Sequence, residues 1–249
     1  MKTLRWIALV LVCWSGSLMG FSPYEQHLRS GRENHVGLVA EVTDSKGFAE
    51  AVRGLGGKLA SADIKGLQVF QRKIEGAELA VVYFAYPGDR NYLEAAAAFT
   101  EATSDVDWSK LVKAHPRARE GEVWMQMEWI NFIRGVETER QATKSLMIGT
   151  SLRPEREFEY RTLHQTVWPG VVDAFSRTNG RNLSIFLIEF DGRLLKFLYT
   201  EYVGEDAAKD EAAAQADPVN QRWWKLTDAC QKPFSDVKEG NWAELDRLR

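Results

Sequence analysis

An internal repeat is the feature of this sequence that most restricts how the chain can fold. The segment from Leu67 to Tyr86 aligns without a gap with the segment from Leu183 to Tyr202. Identical residues occupy the paired positions Leu67 and Leu183, Phe70 and Phe186, Gly76 and Gly192, Leu79 and Leu195, Tyr83 and Tyr199, and Tyr86 and Tyr202. Each copy has two apolar runs rich in β-forming residues around a glycine-containing turn, which predicts a β-hairpin. The repeat therefore predicts two related domains in one chain.

The similarity continues on both sides of the hairpins. Upstream, the strand-like segment from Val36 to Val42 corresponds to the segment from Leu146 to Leu152, and downstream Trp108 corresponds to Trp223. Each copy then has the order strand, helix, strand, strand, helix, strand, which is ferredoxin-like. We expect the last strands of the two copies around Glu122 to Phe132 and around Asn241 to Leu248.

A single sheet of this kind has one face covered by its helices and a second face that needs a partner. Two fused copies can supply that partner to each other. The predicted fold class is therefore α+β, with tandem ferredoxin-like repeats that pair as an intramolecular pseudo-dimer. The predicted domains span residues 36–132 and 144–249, joined by a polar linker from Ile133 to Lys144.

The N-terminus resembles an export signal. A charged start at Lys2 and Arg5 precedes an apolar run from Trp6 to Trp14, and the small residues Ser15, Gly16, Ser17 and Gly20 follow it. This order is typical of a signal peptide, whereas a membrane-spanning helix needs about 20 apolar residues. We expect residues 1–22 to be a signal peptide, the mature protein to be exported, and no stable membrane insertion after cleavage. The alternative is an uncleaved membrane anchor.

The composition excludes some classes of partner and chemistry. With a net charge of -3 at pH 7, the chain lacks the broad basic surface that binding to nucleic acid requires. Removal of the signal peptide would leave Cys230 as the only cysteine, so no intramolecular disulfide is expected. The histidines have no partners at metal-ligand spacing, and we expect neither a metal nor a cofactor. His27 and His35 lie before the predicted first strand, where we expect them to be solvated, and His115 precedes a proline in a turn.

Two segments of the second copy carry the side chains best suited to chemistry. Tyr160 and His164 are four residues apart, so on a helix they share one face. Trp223 and Trp224 form an indole pair near the C-terminus. Imidazole transfers protons near neutral pH, and indole faces can stack on the apolar side of a sugar ring. The combination favours acid/base chemistry on a carbohydrate, although a helix histidine and paired tryptophans also occur as core residues.

At these residues the chain resembles the L-rhamnose mutarotase family. The family has a Tyr-x-x-x-His-x-x-x-Trp-Pro helix, matched here from Tyr160 to Pro169, and a later Gln-Arg-Trp-Trp-Lys segment, matched from Gln221 to Lys225. The resemblance runs from about Leu146 to Lys225 and on toward Arg249. It implies interconversion of the α and β anomers of a deoxy-hexose such as L-rhamnose, without a metal or an organic cofactor. It also implies a dimeric α/β barrel, which this chain would form within one polypeptide.

Carried over by position, the resemblance implies roles for four residues. His164 corresponds to the family's proton-donating histidine, Tyr160 to a substrate-contacting tyrosine, and Trp223 and Trp224 to its substrate-contacting tryptophans. The family has a second ligand-contacting tyrosine where this chain has Leu183, so one hydroxyl contact is missing here.

The first copy lacks most of these residues. Glu50 stands opposite Tyr160, Gly54 opposite His164 and Ser109 opposite Trp224, while Trp108 is retained opposite Trp223. We therefore expect the first copy to be a structural partner. Two other functions remain open: an exported carbohydrate-binding protein without turnover, and a cofactor-free monooxygenase or haem-degrading enzyme of the same fold.

Overall fold

The computed structural model describes residues 33–55, 59 and 62–249 of the chain. The predicted signal peptide, residues 1–22, and His27 lie outside the described residues. Among the residues that are described, no helix is both long and apolar enough to cross a membrane.

The described residues form strands and helices that alternate along the chain. The strands are β1 (Glu33–Val42), β2 (Lys65–Ile74), β3 (Ala77–Pro87), β4 (Val112–Lys113), β5 (Met125–Gln126), β6 (Glu128–Gly135), β7 (Lys144–Leu152), β8 (Gly180–Phe190), β9 (Arg193–Tyr202), β10 (Gln231–Lys232), β11 (Ala243–Glu244) and β12 (Asp246–Arg247). The α-helices are α1 (Ser45–Gly54), α2 (Ala95–Ala102), α3 (Glu157–Gln165), α4 (Pro169–Arg177), α5 (Ala207–Ala216) and α6 (Pro218–Ala229). Short 3-10 turns lie at Tyr92–Glu94, Trp108–Lys110 and Pro154–Arg156.

The strands form two six-stranded sheets. The N-terminal sheet has the order β12-β2-β3-β1-β4, and β5 also pairs with β1; the C-terminal sheet has the order β10-β7-β9-β8-β6, and β11 also pairs with β7. Every pairing is antiparallel. The chain is therefore an α+β protein with antiparallel sheets.

Both predicted hairpins are present, and the same kind of turn closes them. Glu75 and Gly76 link β2 to β3 with φ angles of 51° and 100°, and Asp191 and Gly192 link β8 to β9 with φ angles of 50° and 68°. Positive φ at both central residues is the geometry of the two-residue turns that match strand twist. Glycine at the second position adopts it without steric cost.

The last strand of the first half was predicted wrongly. The expectation placed Glu122 to Phe132 as one strand of domain 36–132, but only Met125–Gln126 pairs with β1. The next strand, β6, pairs with β8 of the C-terminal sheet. It also extends into the predicted linker, which shortens to residues 136–143.

The last strands of the chain also pair with both sheets. The predicted final strand, Asn241 to Leu248, is two short strands: β11 pairs with β7, and β12 pairs with β2 of the N-terminal sheet. Each half thus places a terminal strand on the edge of the other sheet. Because an edge strand exposes unpaired backbone groups, this exchange satisfies hydrogen bonds at both edges.

The inner faces of the two sheets share one apolar core. Val81 and Tyr83 of the N-terminal sheet and Phe197 and Tyr199 of the C-terminal sheet belong to it, and the rings of Tyr83 and Tyr199 stack with centroids 3.5 Å apart. Helices cover the outer faces, where the N-terminal sheet meets α1 and α2 and the C-terminal sheet meets α3, α4 and α6.

His35 was expected to be solvated, and this expectation is wrong. The first strand starts at Glu33, so His35 lies within β1 and is only 3% exposed. Its Nδ1 lies 2.5 Å from the Tyr83 hydroxyl, and its ring stacks on Phe132 of β6 at 4.2 Å. His35 is therefore a core residue where the two halves meet.

Candidate functional site

A cavity of about 210 Å³ lies between the outer face of the C-terminal sheet and the helices that cover it. All four candidate site residues line this cavity: Tyr160, His164, Trp223 and Trp224. Tyr160 and His164 come from α3, and the two tryptophans come from α6. The structure therefore brings together side chains that are about 60 positions apart in the sequence.

His164 is held in one orientation. The side chain is 5% exposed, and its Nδ1 lies 2.9 Å from the carbonyl oxygen of Tyr160. A carbonyl only accepts hydrogen bonds, so Nδ1 carries the proton, and Nε2 of the neutral ring is left as an acceptor. Asn131 of β6 fixes the backbone here, because its Nδ2 donates to the His164 carbonyl at 2.7 Å.

Burial also determines the charge of His164. The loss of solvation lowers the pKa of the imidazole from 6.5 to about 3, and nearby Lys196 acts in the same direction, while the hydrogen bond to Tyr160 opposes the shift. The ring is therefore neutral at physiological pH. The neutral ring has a free lone pair on Nε2, so His164 enters a reaction as a proton acceptor.

Tyr160 lies beside His164, with ring centroids 4.1 Å apart. Its side chain is 1% exposed, and burial raises the pKa of its phenol well above the ordinary value. The hydroxyl therefore keeps its proton at neutral pH. It makes no hydrogen bond within the described part of the chain, so it is available as a donor to a ligand.

The two tryptophans differ in exposure. Trp223 is 5% exposed and packs edge-on against His164 at 5.3 Å and Trp168 at 5.4 Å. Trp224 is 37% exposed and so forms the solvent side of the cavity. The start of α6 is fixed by Asp217, whose carboxylate accepts from the backbone N–H groups of Val219 and Asn220. This N-cap sets the position from which both indoles project.

Lys196 lines the same cavity and was missed at the sequence level. It lies on β9 and is 1% exposed, and its Nζ lies 4.5 Å from the ring centre of Tyr160 and 3.9 Å from that of Trp242. Burial lowers the pKa of its ammonium group well below the usual range. The repeat held a signal for this residue, since the position corresponding to Lys196 in the first copy is Ala80.

Two amide side chains of the cavity were also missed. Asn131 and Gln231 are each 2% exposed, and the Oδ1 of Asn131 and the Oε1 of Gln231 have no hydrogen-bond donor among the described residues. Buried acceptors are rarely left unpaired. Asn131 escaped notice because its strand was assigned to the other half. Leu183, which stands where the family has a tyrosine, also lines the cavity.

The corresponding place in the N-terminal half is filled by aromatic side chains. Trp108 packs against Phe48, Phe99 and Trp124 and donates from Nε1 to Thr103 Oγ1 at 2.8 Å. The α1 helix ends at Gly54, where a Cβ atom would meet no other atom within 4 Å.

A larger groove of about 730 Å³ lies away from these residues, next to β5 and β6. Several of its charged side chains are already neutralised: Arg161 pairs with Glu128 and Glu157, and Arg117 pairs with Glu189. The smaller cavity is lined by all four candidate residues and by Asn131 and Gln231, whose amide oxygens have no partner among the described residues, and for this reason we assign the candidate site to it. Within the described residues, no three His, Cys, Asp or Glu side chains converge as metal ligands.

Solved structures share the fold at low sequence identity. A candidate monooxygenase from Fusobacterium nucleatum aligns with a TM-score of 0.51 and 13% identity, covering 86% of this chain and 92% of its own. This likeness concerns the fold alone.

The sequence comparisons match the half that contains the cavity. The family model described as L-rhamnose mutarotase matches residues 146–248. The L-rhamnose mutarotase of Bacillus subtilis is 38% identical over 78 residues, which cover 31% of this chain and 70% of that protein. The L-rhamnose mutarotase of Oceanobacillus iheyensis is 34% identical over 83 residues, covering 33% of this chain and 75% of that protein. Through its C-terminal half, the chain belongs to the L-rhamnose mutarotase family.

Proposed function

We propose that this protein is a carbohydrate mutarotase that interconverts the α and β anomers of a free monosaccharide, L-rhamnose or a related deoxy-sugar. The observation that carries the proposal is the convergence of His164, Tyr160, Trp223 and Trp224 on one cavity within the family-matched segment. The monosaccharide is the only partner that the mechanism requires.

His164 carries the proton transfer. Ring opening requires the anomeric hydroxyl to lose a proton and the ring oxygen to gain one. The free Nε2 of the neutral imidazole accepts the first proton, and the imidazolium then donates it to the ring oxygen. Closure on the other face of the aldehyde reverses both steps, so one acid/base group serves both directions. The hydrogen bond from Nδ1 to the Tyr160 carbonyl keeps Nε2 directed away from the helix.

The other residues hold and orient the sugar. The Tyr160 hydroxyl remains protonated and donates to a sugar oxygen, while the unpaired amide oxygens of Asn131 and Gln231 accept from sugar hydroxyls. Trp223 and Trp224 supply apolar faces for the ring. Because stacking acts on the ground state and the transition state alike, the tryptophans mainly affect binding.

We further infer that the two halves are the fused equivalent of a dimer and that only the C-terminal half is active. The shared core and the exchanged strands β6 and β12 support the fused dimer, and the aromatic packing around Trp108 supports an inactive N-terminal half. We also propose that the mature protein is exported after removal of residues 1–22. N-terminal sequencing of the protein from the extracellular or periplasmic fraction tests the export proposal, and an intact N-terminus in the membrane fraction would favour the anchor.

Saturation transfer between anomeric protons tests the proposed activity. We expect the wild-type protein to accelerate exchange of L-rhamnose, and His164→Ala to lose about 100- to 10,000-fold of this acceleration, as is usual for a general acid/base group. Gly54→Ala is the matched control, since it changes the corresponding position of the N-terminal half, where the added methyl group meets nothing.

The outcomes separate the proposal from its alternatives. Equal exchange in wild type and His164→Ala would reject His164 as the acid/base group. Sugar binding without faster exchange would favour the non-catalytic carbohydrate-binding protein, for which the apolar Leu183 in the cavity wall is the observation in favour.

A further inference from the structure

Among the described residues, Lys196 is the one lysine or arginine that lines the cavity, and none of them gives it a partner of opposite charge. Its Nζ lies over the rings of Tyr160 and Trp242, and it makes no hydrogen bond or ion pair within the described part of the chain. Aromatic faces attract a cation, but they do not supply the negative charge that normally accompanies a buried one.

The described residues that line the cavity include no carboxylate. The charge of Asp228 raises the pKa of Lys196, but Asp228 forms no ion pair with it and is exposed to solvent. The described residues around the cavity therefore offer a ligand one amine, two unpaired amide oxygens and an aromatic surface, and an anionic ligand would favour the protonated form of the amine. The complementary ligand has hydroxyl donors, an apolar ring face and a single negative charge.

The proposed reaction determines where that charge can be. Ring opening needs a free anomeric hydroxyl, so the charged group has to be on another carbon. In a pyranose the ring oxygen is bonded to two carbons, the anomeric carbon and the carbon that carries the exocyclic carbon. A group on it therefore lies next to the reacting atoms. His164 and Lys196 likewise lie beside one another's neighbour, since both contact the ring of Tyr160. The ring centroids of His164 and Tyr160 are 4.1 Å apart, and the Nζ of Lys196 is 4.5 Å from the ring centroid of Tyr160.

From this arrangement we propose that the preferred substrates are hexuronates, sugars whose exocyclic carbon is a carboxylate, and that Lys196 binds this carboxylate. The inference rests on the proposed mutarotase function and changes its substrate class from neutral to acidic sugars. A carboxylate fits better than a phosphate, because a dianion usually has several donors such as arginine or backbone N–H groups, and this cavity has a single ammonium group.

Anomer exchange of matched sugars tests the inference. The panel pairs D-galacturonate with D-galactose, D-glucuronate with D-glucose, D-mannuronate with D-mannose and L-guluronate with L-gulose, and adds L-rhamnose and D-glucose 6-phosphate. We expect at least one uronate to exceed its neutral partner in kcat/KM by about tenfold or more, the range of a hydrogen bond between charged groups. In Lys196→Met the ratio of kcat/KM for the uronate to kcat/KM for its neutral partner should fall to about one, whatever the absolute rates.

Lys209→Met is the matched control, because Lys209 is an exposed lysine on α5 outside the cavity. Its uronate preference should equal that of the wild type. Titration calorimetry of the same sugars measures binding separately from turnover.

Each remaining outcome has a definite meaning. Equal exchange of acidic and neutral sugars, a preference that survives in Lys196→Met, or a preference for the phosphate overturns the inference and leaves the mutarotase function standing. Binding of uronates that depends on Lys196 without any exchange supports the ligand class and overturns the mutarotase function. If no sugar is exchanged and no sugar binds, both the inference and the mutarotase function are overturned.

Discussion

His164 is buried as a neutral imidazole, and this couples the stability of the protein to pH. Its pKa is about 3 in the folded chain against 6.5 ordinarily, so below pH 6.5 the unfolded chain binds a proton that the folded chain excludes. The contribution of His164 to the free energy of unfolding is fully present above about pH 6.5 and is lost as the pH falls toward 3. Between pH 8 and pH 5 we expect a loss of about 2 kcal/mol from this group. Urea unfolding of wild type and His164→Leu measures it, and an identical pH dependence in both proteins would contradict the prediction.

We expect the buried amine of Lys196 to lower the free energy of unfolding. Burial without a partner of opposite charge disfavours an amine, whereas the thioether of methionine suits the surrounding aromatic rings. Lys196→Met should therefore raise the free energy of unfolding by about 1 to 3 kcal/mol, measured by urea unfolding at pH 7. Such a gain together with lost function is typical of a residue kept for its site. A destabilised variant would show that the rings hold the ammonium group favourably.

The N-cap of α6 affects both the stability of this helix and the position of the site residue Trp223. Asp217 accepts hydrogen bonds from the backbone N–H groups of Val219 and Asn220 and pairs with Arg177 of α4 at 3.0 Å. Asp217→Ala should cost about 1 kcal/mol of stability and also weaken sugar binding, because the start of α6 positions Trp223.

Asp44→Ala is the control for this cap. Asp44 caps α1 in the N-terminal half by accepting from the N–H of Gly47 at 3.0 Å, so its loss should destabilise the protein similarly without changing sugar affinity. Titration calorimetry with the best substrate separates the two variants. Equal weakening of binding by both would show that α6 has no special role.

Local elements could be predicted from the sequence, but the exchange of strands could not. The hairpins follow from alternating apolar residues around the Glu75-Gly76 and Asp191-Gly192 turns, which are local signals. The strand β6 also has a strand-like sequence, yet which sheet it joins depends on an unpaired edge that only the folded chain presents. The same limit applies to the site: His164 had a sequence motif, whereas Asn131 reaches the cavity only through this exchange.

At the scale of the whole molecule, the N-terminal half contributes structure to a site in the C-terminal half. It covers the inner face of the C-terminal sheet through the shared core, and the chain leading out of it supplies β6, which carries Asn131. The backbone carbonyl of His164 accepts from Asn131 at 2.7 Å. Trp108 and its aromatic neighbours fill the space in the N-terminal half, which is compatible with a necessary structural role for that half.

If the halves form a fused dimer, the covalent link between them is dispensable once the chain has folded. The shared apolar core and the two exchanged strands hold the halves together without residues 136–143, and large apolar interfaces of this kind normally persist as stable complexes. We insert a protease site after Gln141, which is exposed in this linker, and cut the folded protein. The two fragments should elute together in gel filtration, retain anomer exchange, and separate only in denaturant. Wild-type protein treated with the same protease is the control. Fragments that separate in native buffer at micromolar concentration would show that the linker, and not the interface, holds the halves together.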